Sequence, residues 1–154
     1  MRRPWVALAV SCLLLPACGG GGGGSPTAPQ PTPVPAPVTT NIFSRPFSVV
    51  GAPSNDVVYG IQDVSVPNPG QVQVTFDCTL STSDIDVVVT PTTCTDALSA
   101  YNSQCTVNGL DQANPPGTRA TVTFTLSAAG TIRIWIYNFT PAAESGVLNV
   151  LLTR

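Results

Sequence analysis

From Phe43 onward, apolar and polar residues alternate with a period of two instead of the 3.6 of a helix. In 71–80 every second residue is apolar, and the residues between them are Gln, Thr and Asp. The same alternation occurs in 85–90, 119–127, 131–139 and 148–153, and more weakly in 47–51 and 57–66. Turn signals separate most of these runs, and only 95–101 has the spacing of a short helix or turn. Seven or eight short strands with one apolar face each predict an all-β fold, an antiparallel β-sandwich of two sheets packed face to face.

The first residues have the pattern of a secretory signal, because Arg2 and Arg3 precede an apolar run that ends at Leu15. This run is shorter than the roughly 20 residues that span a membrane. The segment 15–18, Leu-Pro-Ala-Cys, resembles the bacterial lipoprotein signal, in which a leucine three positions before a cysteine marks the cleavage site. The resemblance implies that 1–17 is a cleaved signal peptide and that Cys18 carries the lipid that holds the protein on a membrane. The alternative is an ordinary cleaved signal with a cysteine nearby.

Residues 18–42 have the composition of a tether. A run of glycines, Gly19–Gly24, predicts a flexible coil, and the alternate prolines between Pro26 and Pro37 favour extended polyproline II. Such a spacer holds a domain away from a membrane; a docking ligand of the SH3 type would need a basic residue that the tract lacks. Gly19 replaces the aspartate that retains enterobacterial lipoproteins in the inner membrane. The expected location is therefore the cell envelope, as an outer-membrane lipoprotein facing the periplasm or the cell surface.

The charge of the chain limits its chemistry. The sequence has no Lys and no His, and once Arg2 and Arg3 are removed four arginines face eight acids, a net charge near −4. A chain without a basic patch does not neutralise phosphates, which argues against nucleic-acid binding. Ser-His-Asp and Ser-Lys catalysis both need side chains that are missing, and zinc sites usually need His or Cys-x-x-Cys. The sequence therefore predicts that the protein is not an enzyme.

Three cysteines remain after the signal and the lipid attachment site: Cys78, Cys94 and Cys105. In an oxidising compartment two of them should pair. Cys94 and Cys105 flank a polar, loop-like segment, so we expect this pair to form a disulfide. Cys78 lies on the apolar face of its strand and is expected to be a buried free thiol, with a pair that involves Cys78 as the alternative.

Four short segments carry a family resemblance. The strand 83–89, Ser-Asp-Ile-Asp-Val-Val-Val, and the pair 130–137 and 145–150 resemble the bacterial pre-peptidase C-terminal domain, and 64–67 before Gly70 also fits. The resemblance covers about 43–153. It implies a jelly-roll-like sandwich and a non-catalytic accessory module of the kind often found beside secreted peptidases. The chain differs from the family pattern in its three additional cysteines and in a valine after the second aspartate.

Two sets of side chains are candidate sites. Asp84 and Asp86 lie on one side of a strand, about 7 Å apart, and are candidate calcium ligands; the commoner roles of such a pair are to cap a turn or face solvent. If the isoleucines of 132–136 face the core, an aromatic row with one arginine lies outside and is a candidate binding surface. The alternatives are that a long loop such as 92–117 covers this row or that the strand is buried on both faces. The row consists of Arg133, Trp135, Tyr137 and Phe139.

The sequence thus predicts a non-enzymatic, lipid-anchored envelope or surface protein with residues 43–154 as its β-sandwich domain. This domain is expected to bind an extracellular polymer, either polysaccharide or protein, without a cofactor other than calcium. The alternative is an architectural accessory subunit of a secreted-peptidase or surface complex, with no ligand of its own. Composition and spacing do not predict the oligomeric state.

Overall fold

The structure is a computed structural model that describes residues 33–53, 57–80, 82, 84–112 and 117–154. Residues 35–154 form one compact unit, and every strand described belongs to it. The predicted signal peptide 1–17, the lipid attachment site Cys18 and the tether as far as residue 32 lie outside the described residues. The elements are β1 (Thr39–Val49), β2 (Val58–Val66), β3 (Gly70–Cys78), β4 (Ile85–Pro91), α1 (Ala97–Tyr101), β5 (Gly109–Asp111), β6 (Arg119–Leu126), β7 (Gly130–Asn138) and β8 (Glu144–Thr153).

The eight described strands form two four-stranded sheets. The first sheet has the order β1-β8-β3-β6 and the second β2-β7-β4-β5, and all neighbouring strands are antiparallel. Each strand lies in the opposite sheet from the strand before it, except that β4 and β5 share the second sheet, and this is the connectivity of a jelly roll. The predicted two-sheet sandwich is therefore confirmed. β1 begins at Thr39 instead of Phe43, so 39–42 belong to the first sheet, although the sequence analysis placed them in the tether.

The core lies between the two sheets. The inward residues of β3, β6, β7 and β8 are those that the alternating pattern assigned to the apolar face. Burying each such aliphatic side chain stabilises the fold by about 1.5–3 kcal/mol. Gly60 of β2 allows a close approach in this core, because a Cβ atom there would lie 2.6 Å from the ring of Phe47. The buried residues of the cluster from these four strands include Val72, Val74, Phe76, Val122, Phe124, Ile132, Ile134, Ile136, Leu148, Val150 and Leu152.

The strand registers define two ends of the sandwich. Thr39 pairs with Thr153, and β2 ends at Val66, next to the turn that leads into β3. We call this the entry end, because the chain enters the first sheet there. The other end, where β1 finishes, β2 begins at Val58 and β7 finishes at Asn138, is the far end. At about 3.3 Å per residue, the nine-residue β2 separates the two ends by roughly 26 Å.

Buried polar side chains fix the far-end loops. Glu144 has no exposed surface, and its Oε1 accepts hydrogen bonds from the amide and the hydroxyl of Thr79 at 2.8 and 2.7 Å and from the amide of Ser145 at 3.0 Å. The side-chain nitrogen Nδ2 of Asn138 donates to the backbone carbonyl oxygens of Val50 and Ala142. Every buried side-chain nitrogen or oxygen in the described part of the chain has a partner. No helix within those ranges is long and apolar enough to cross a membrane.

Candidate functional site

The outer face of the second sheet is covered by the segment 92–108, which we call the cover loop. It includes α1 and is closed by a disulfide between Cys94 and Cys105, as the sequence analysis predicted. Asp96 begins the helix, since its carboxylate accepts a hydrogen bond from the amide of Ser99 at 2.8 Å. Beneath the loop lies a second apolar cluster, separate from the main core: Val88, Cys94, Ala97, Ala100, Trp135 and Tyr137.

The aromatic row of β7 lies under this loop and is not an open surface. Trp135 is 0% exposed and Tyr137 2%. The indole Nε1 of Trp135 donates to the hydroxyl of Thr90 at 2.9 Å, and the hydroxyl of Tyr137 donates to the carbonyl of Ala97 at 2.6 Å. The prediction of an exposed row is therefore wrong for these two residues, and the alternative of a covering loop is correct. The hydroxyl of Tyr137 anchors the loop on the sheet, whereas the indole of Trp135 finds its acceptor within the sheet, on Thr90 of β4.

Arg133 and Phe139 complete the row and also hold the loop. The Nε and Nη2 atoms of Arg133 each donate to a carboxylate oxygen of Asp63 at 2.8 Å, while Nη1 donates to the carbonyl of Cys94 at 3.1 Å. The hydrogen bond from Arg133 holds the pKa of Asp63 below its ordinary value. Phe139 is half-buried, with its ring centroid 5.5 Å from that of Tyr101. Arg133 thus links β2, β7 and the cover loop.

Asp86, one of the two candidate calcium ligands, is buried beneath the loop. The hydroxyl of Tyr101 donates a hydrogen bond to its Oδ2 at 2.9 Å. Burial raises the pKa of Asp86, the hydrogen bond from Tyr101 opposes this, and the charges of Asp84 and Asp111 raise it further. No group of three or more His, Cys, Asp or Glu placed to hold a metal occurs among the residues that the structure describes. Calcium binding stays a prediction, and the geometry gives Asp86 a structural partner.

An apolar pocket of about 110 Å³ opens at the far end, between β2 and α1. Tyr59 of β2 lies directly opposite Tyr137 of β7 in the strand register, and their ring centroids are 6.0 Å apart. On the other side, the centroid of Tyr101 lies 5.0 Å from that of Tyr137. We call this the tyrosine pocket; it is lined by Val57, Tyr59, Ala97, Leu98, Tyr101 and Tyr137.

Exposed apolar side chains surround the pocket. Leu98 is 66% exposed, Tyr59 49%, Val57 48% and Ile61 45%. We call these four residues the far-end patch. Sequence reasoning did not identify these residues. A signal was present for Val57, Tyr59 and Ile61, because both faces of the run 57–66 carry apolar residues, which weakens its alternation. Only one of those faces belongs to the core.

No family model matches the chain, and no curated protein is significantly similar to it in sequence. The resemblance to the pre-peptidase C-terminal domain therefore stays a prediction from short motifs.

Proposed function

We propose that the protein is a non-enzymatic, lipid-anchored protein of the cell envelope whose β-sandwich binds an extracellular polymer through the far-end patch. The observation that carries this proposal is the exposure of three apolar residues that line the tyrosine pocket, Val57, Tyr59 and Leu98, with Ile61 two positions beyond Tyr59 on β2. Contiguous apolar surface of this kind costs solubility and is characteristic of interaction sites. Anchoring through Cys18 rests on the lipoprotein-like sequence of 15–18, and the outer membrane as the location rests on Gly19 after the cysteine.

The far-end patch lies at the end of the sandwich opposite to the end at which the chain enters the first sheet. The chain enters the first sheet at Thr39, at the entry end, whereas Tyr59 and Leu98 lie toward the far end. Polymers present many copies of a small binding group, so even a modest patch on a membrane-bound protein gains from multiple attachment.

The two outer faces of the sandwich contrast sharply. The outer face of the first sheet carries Thr121, Thr123 and Thr125 on β6, beside Gln71 and Gln73 on β3. Such a face is well solvated by hydroxyl and amide groups. Four of the ten exposed large apolar side chains in the described residues belong instead to the far-end patch, which favours the far end as the binding region. The acidic net charge favours a neutral or basic polymer over an acidic one.

The absence of His and Lys from the whole sequence supports the non-enzymatic part of the proposal. The most deeply buried aspartate beneath the cover loop, Asp86, is engaged by Tyr101. A carboxylate that already accepts a hydrogen bond from a structural partner is poorly arranged for acid–base catalysis.

The test is retention of the full chain, solubilised in a polyoxyethylene detergent, on insoluble polysaccharides and on secreted proteins coupled to beads. We expect Tyr59→Ser and Leu98→Ser to lower retention about tenfold or more, because they remove apolar area at the centre of the patch. Val147→Ser is the matched control, since Val147 is 39% exposed but lies on the first sheet. Equal loss in the control would contradict the proposal. Failure of the unmodified protein to bind any polymer would favour the architectural role beside a secreted peptidase.

A further inference from the structure

We infer that the tyrosine pocket is a binding site for an organic cation, specifically an alkylated ammonium group. This inference goes beyond the proposed function, which concerns a polymer on the wider far-end patch. It rests on the arrangement of three aromatic rings, on the sign of the charges around them and on the carbon-rich remainder of the wall.

The three rings are inclined to one another and form walls. The planes of Tyr59 and Tyr137 make an angle of 47°, and those of Tyr101 and Tyr137 an angle of 62°. The three rings are therefore not stacked in parallel, and they border the pocket from different sides. The face of each ring carries negative potential, and a cation within about 6 Å of several centroids is attracted by all of them.

The charges near the pocket are acidic. Asp86 accepts the hydrogen bond from the Tyr101 hydroxyl at 2.9 Å, and Asp96 begins the helix that lines the pocket. Burial, the hydrogen bond to Asp86 and the charges of Asp86 and Asp84 raise the pKa of Tyr101 to about 12, so this ring remains a neutral phenol at physiological pH. None of the six lining residues is charged. Anions are therefore disfavoured and cations favoured.

The nearest arginine does not compete for the pocket. Arg133 binds Asp63 with two hydrogen bonds, and its guanidinium carbon lies 5.8 Å from the centre of the Trp135 ring. Its interactions are thus with the neighbouring ring of β7, not with the lining tyrosines. The guanidinium of Arg133 thus interacts with the ring of Trp135 inside the protein. The three tyrosines of the pocket remain available to a cation from outside.

The rest of the wall suits methyl or methylene groups. Val57, Ala97 and Leu98 present aliphatic carbon to the opening. A sugar or a carboxylate would lose hydrogen bonds to water in such a place without replacing them, which is costly. An alkylated ammonium group loses little, because its charge is spread over carbon-bound hydrogen and its hydration is weak. The pocket therefore fits this chemistry better than that of a sugar hydroxyl.

Two of the three rings are held in place before any ligand arrives. Tyr137 is fixed by its 2.6 Å hydrogen bond to Ala97 and Tyr101 by its bond to Asp86, and the Cys94–Cys105 disulfide closes the loop that carries α1. Tyr59, half-exposed on the edge strand β2, is the third wall. Preorganisation of this kind lowers the entropic cost of binding.

The experiment is calorimetric titration of the full chain in a polyoxyethylene detergent with choline and with dimethylbutanol, its neutral isostere in which carbon replaces nitrogen. We expect choline to bind roughly five- to thirtyfold more tightly than dimethylbutanol, because only the cation interacts with the ring faces. Equal affinity of the two compounds, or no binding of choline, would overturn the inference.

Variants distinguish the pocket from the patch. Tyr59→Leu should weaken choline binding about fivefold or more, whereas Tyr59→Phe keeps the ring and should retain it. Ile61→Ser alters the patch but not the pocket lining and should leave choline binding unchanged even where it lowers polymer retention. Unchanged choline affinity in Tyr59→Leu would contradict the site. The fluorescence of Trp135 verifies folding of each variant.

A third titration, with butylammonium, tests whether the site requires alkylation of the nitrogen. A primary ammonium group is strongly hydrated, so butylammonium should bind more weakly than choline. Comparable binding of the two cations would contradict the assignment of the site to an alkylated ammonium group. Loss of polymer retention with intact choline binding would count against the proposed function only.

Discussion

The hydroxyl of Tyr101 donates a 2.9 Å hydrogen bond to the carboxylate of Asp86, and this contact joins the cover loop to β4. Asp86 is only 5% exposed, and the loop that covers it is the same one that forms a wall of the tyrosine pocket. The state of this buried acid is therefore linked to the position of the loop. Asn138 and Glu144 show the same device elsewhere at the far end, where a buried polar side chain holds irregular chain against the sheets.

Protonation of Asp86 gives a prediction about pH. Its folded pKa is raised above the ordinary value of 3.8, chiefly by burial, so the folded protein holds the proton more tightly than the unfolded chain does. The stability that this group contributes is fully present below about pH 3.8 and is lost as pH rises through the folded pKa. Asp86→Asn still offers Tyr101 an acceptor and does not ionise. We expect the variant to gain free energy of unfolding relative to the parent between about pH 3 and pH 7.

Urea denaturation of the parent and of Asp86→Asn at about pH 3 and about pH 7 measures the difference in their free energies of unfolding. Tyr101→Phe is the companion variant, since it removes the donor and leaves the acid buried. A parent and an Asp86→Asn variant with parallel pH profiles would show that burial does not perturb this carboxyl.

Asp63 should behave in the opposite way. The hydrogen bond from Arg133 holds its folded pKa below 3.8, so the stability it contributes is present above that value and is lost as pH falls through the folded pKa. Asp63→Asn should lower the free energy of unfolding at neutral pH by about 1 kcal/mol, because the pair is bidentate but in contact with solvent. The same denaturation series measures it. A deficit that persists undiminished in strong acid would assign the effect to packing instead of charge.

The buried bond between Trp135 and Thr90 gives a prediction for a nearly isosteric change. Thr90→Val keeps the shape of the side chain but leaves the indole N–H without its acceptor. We expect a loss of about 1–3 kcal/mol in the free energy of unfolding. Thr90→Ser retains the hydroxyl and is the control. Trp135 is the sole tryptophan after residue 17, so its fluorescence follows the transition directly; a stable Thr90→Val would mean that another acceptor serves the indole.

The disulfide is predicted to stabilise the cover loop. Cys94 and Cys105 are separated by 11 positions, and opening a loop of this size costs about 3 kcal/mol in the chain-entropy model. The double variant Cys94→Ala with Cys105→Ala should lose an amount of this order and shift the emission of Trp135 to longer wavelength as water reaches it. Fluorescence and urea denaturation measure both effects. Unchanged emission would show that the hydrogen bonds of Arg133 and Tyr137 suffice to hold the loop.

Cys78 is the one free cysteine in the described ranges; it is half-buried, less than the sequence analysis predicted, and is expected to react slowly. Burial, with smaller contributions from the charges of Glu144 and Asp77, raises the pKa of its thiol from 9.0 to about 11. Near pH 8 the thiolate fraction is then about a hundredfold lower than for an unperturbed thiol, and alkylation slows in proportion. Timed iodoacetamide treatment with peptide mass spectrometry measures the rate, with urea-unfolded protein as the control. Equal rates in both states would contradict the burial of the thiol.

Much of the fold follows from local pattern. A strand with water on one face and a core on the other must alternate, and β3 and β6 do so without exception in the sequence. The Cys94–Cys105 pair was also predictable, because two cysteines on either side of a short polar segment meet at small entropic cost. The prediction of a jelly-roll-like connectivity came from a motif resemblance, since alternation does not specify which strands become neighbours.

The sequence by itself determined the all-β sandwich, its inward faces and the disulfide, because each depends on residues close together in the chain. Only the tertiary structure decided what covers the second sheet. The outer residues of β7 look like an exposed row in sequence, and the path of the cover loop, a non-local choice, buries Trp135 and Tyr137. The same path brings Leu98 beside Tyr59, two residues with no local relationship. A site made by contact between distant segments leaves no periodic signal, since periodicity records one face of one element and nothing about what packs against it.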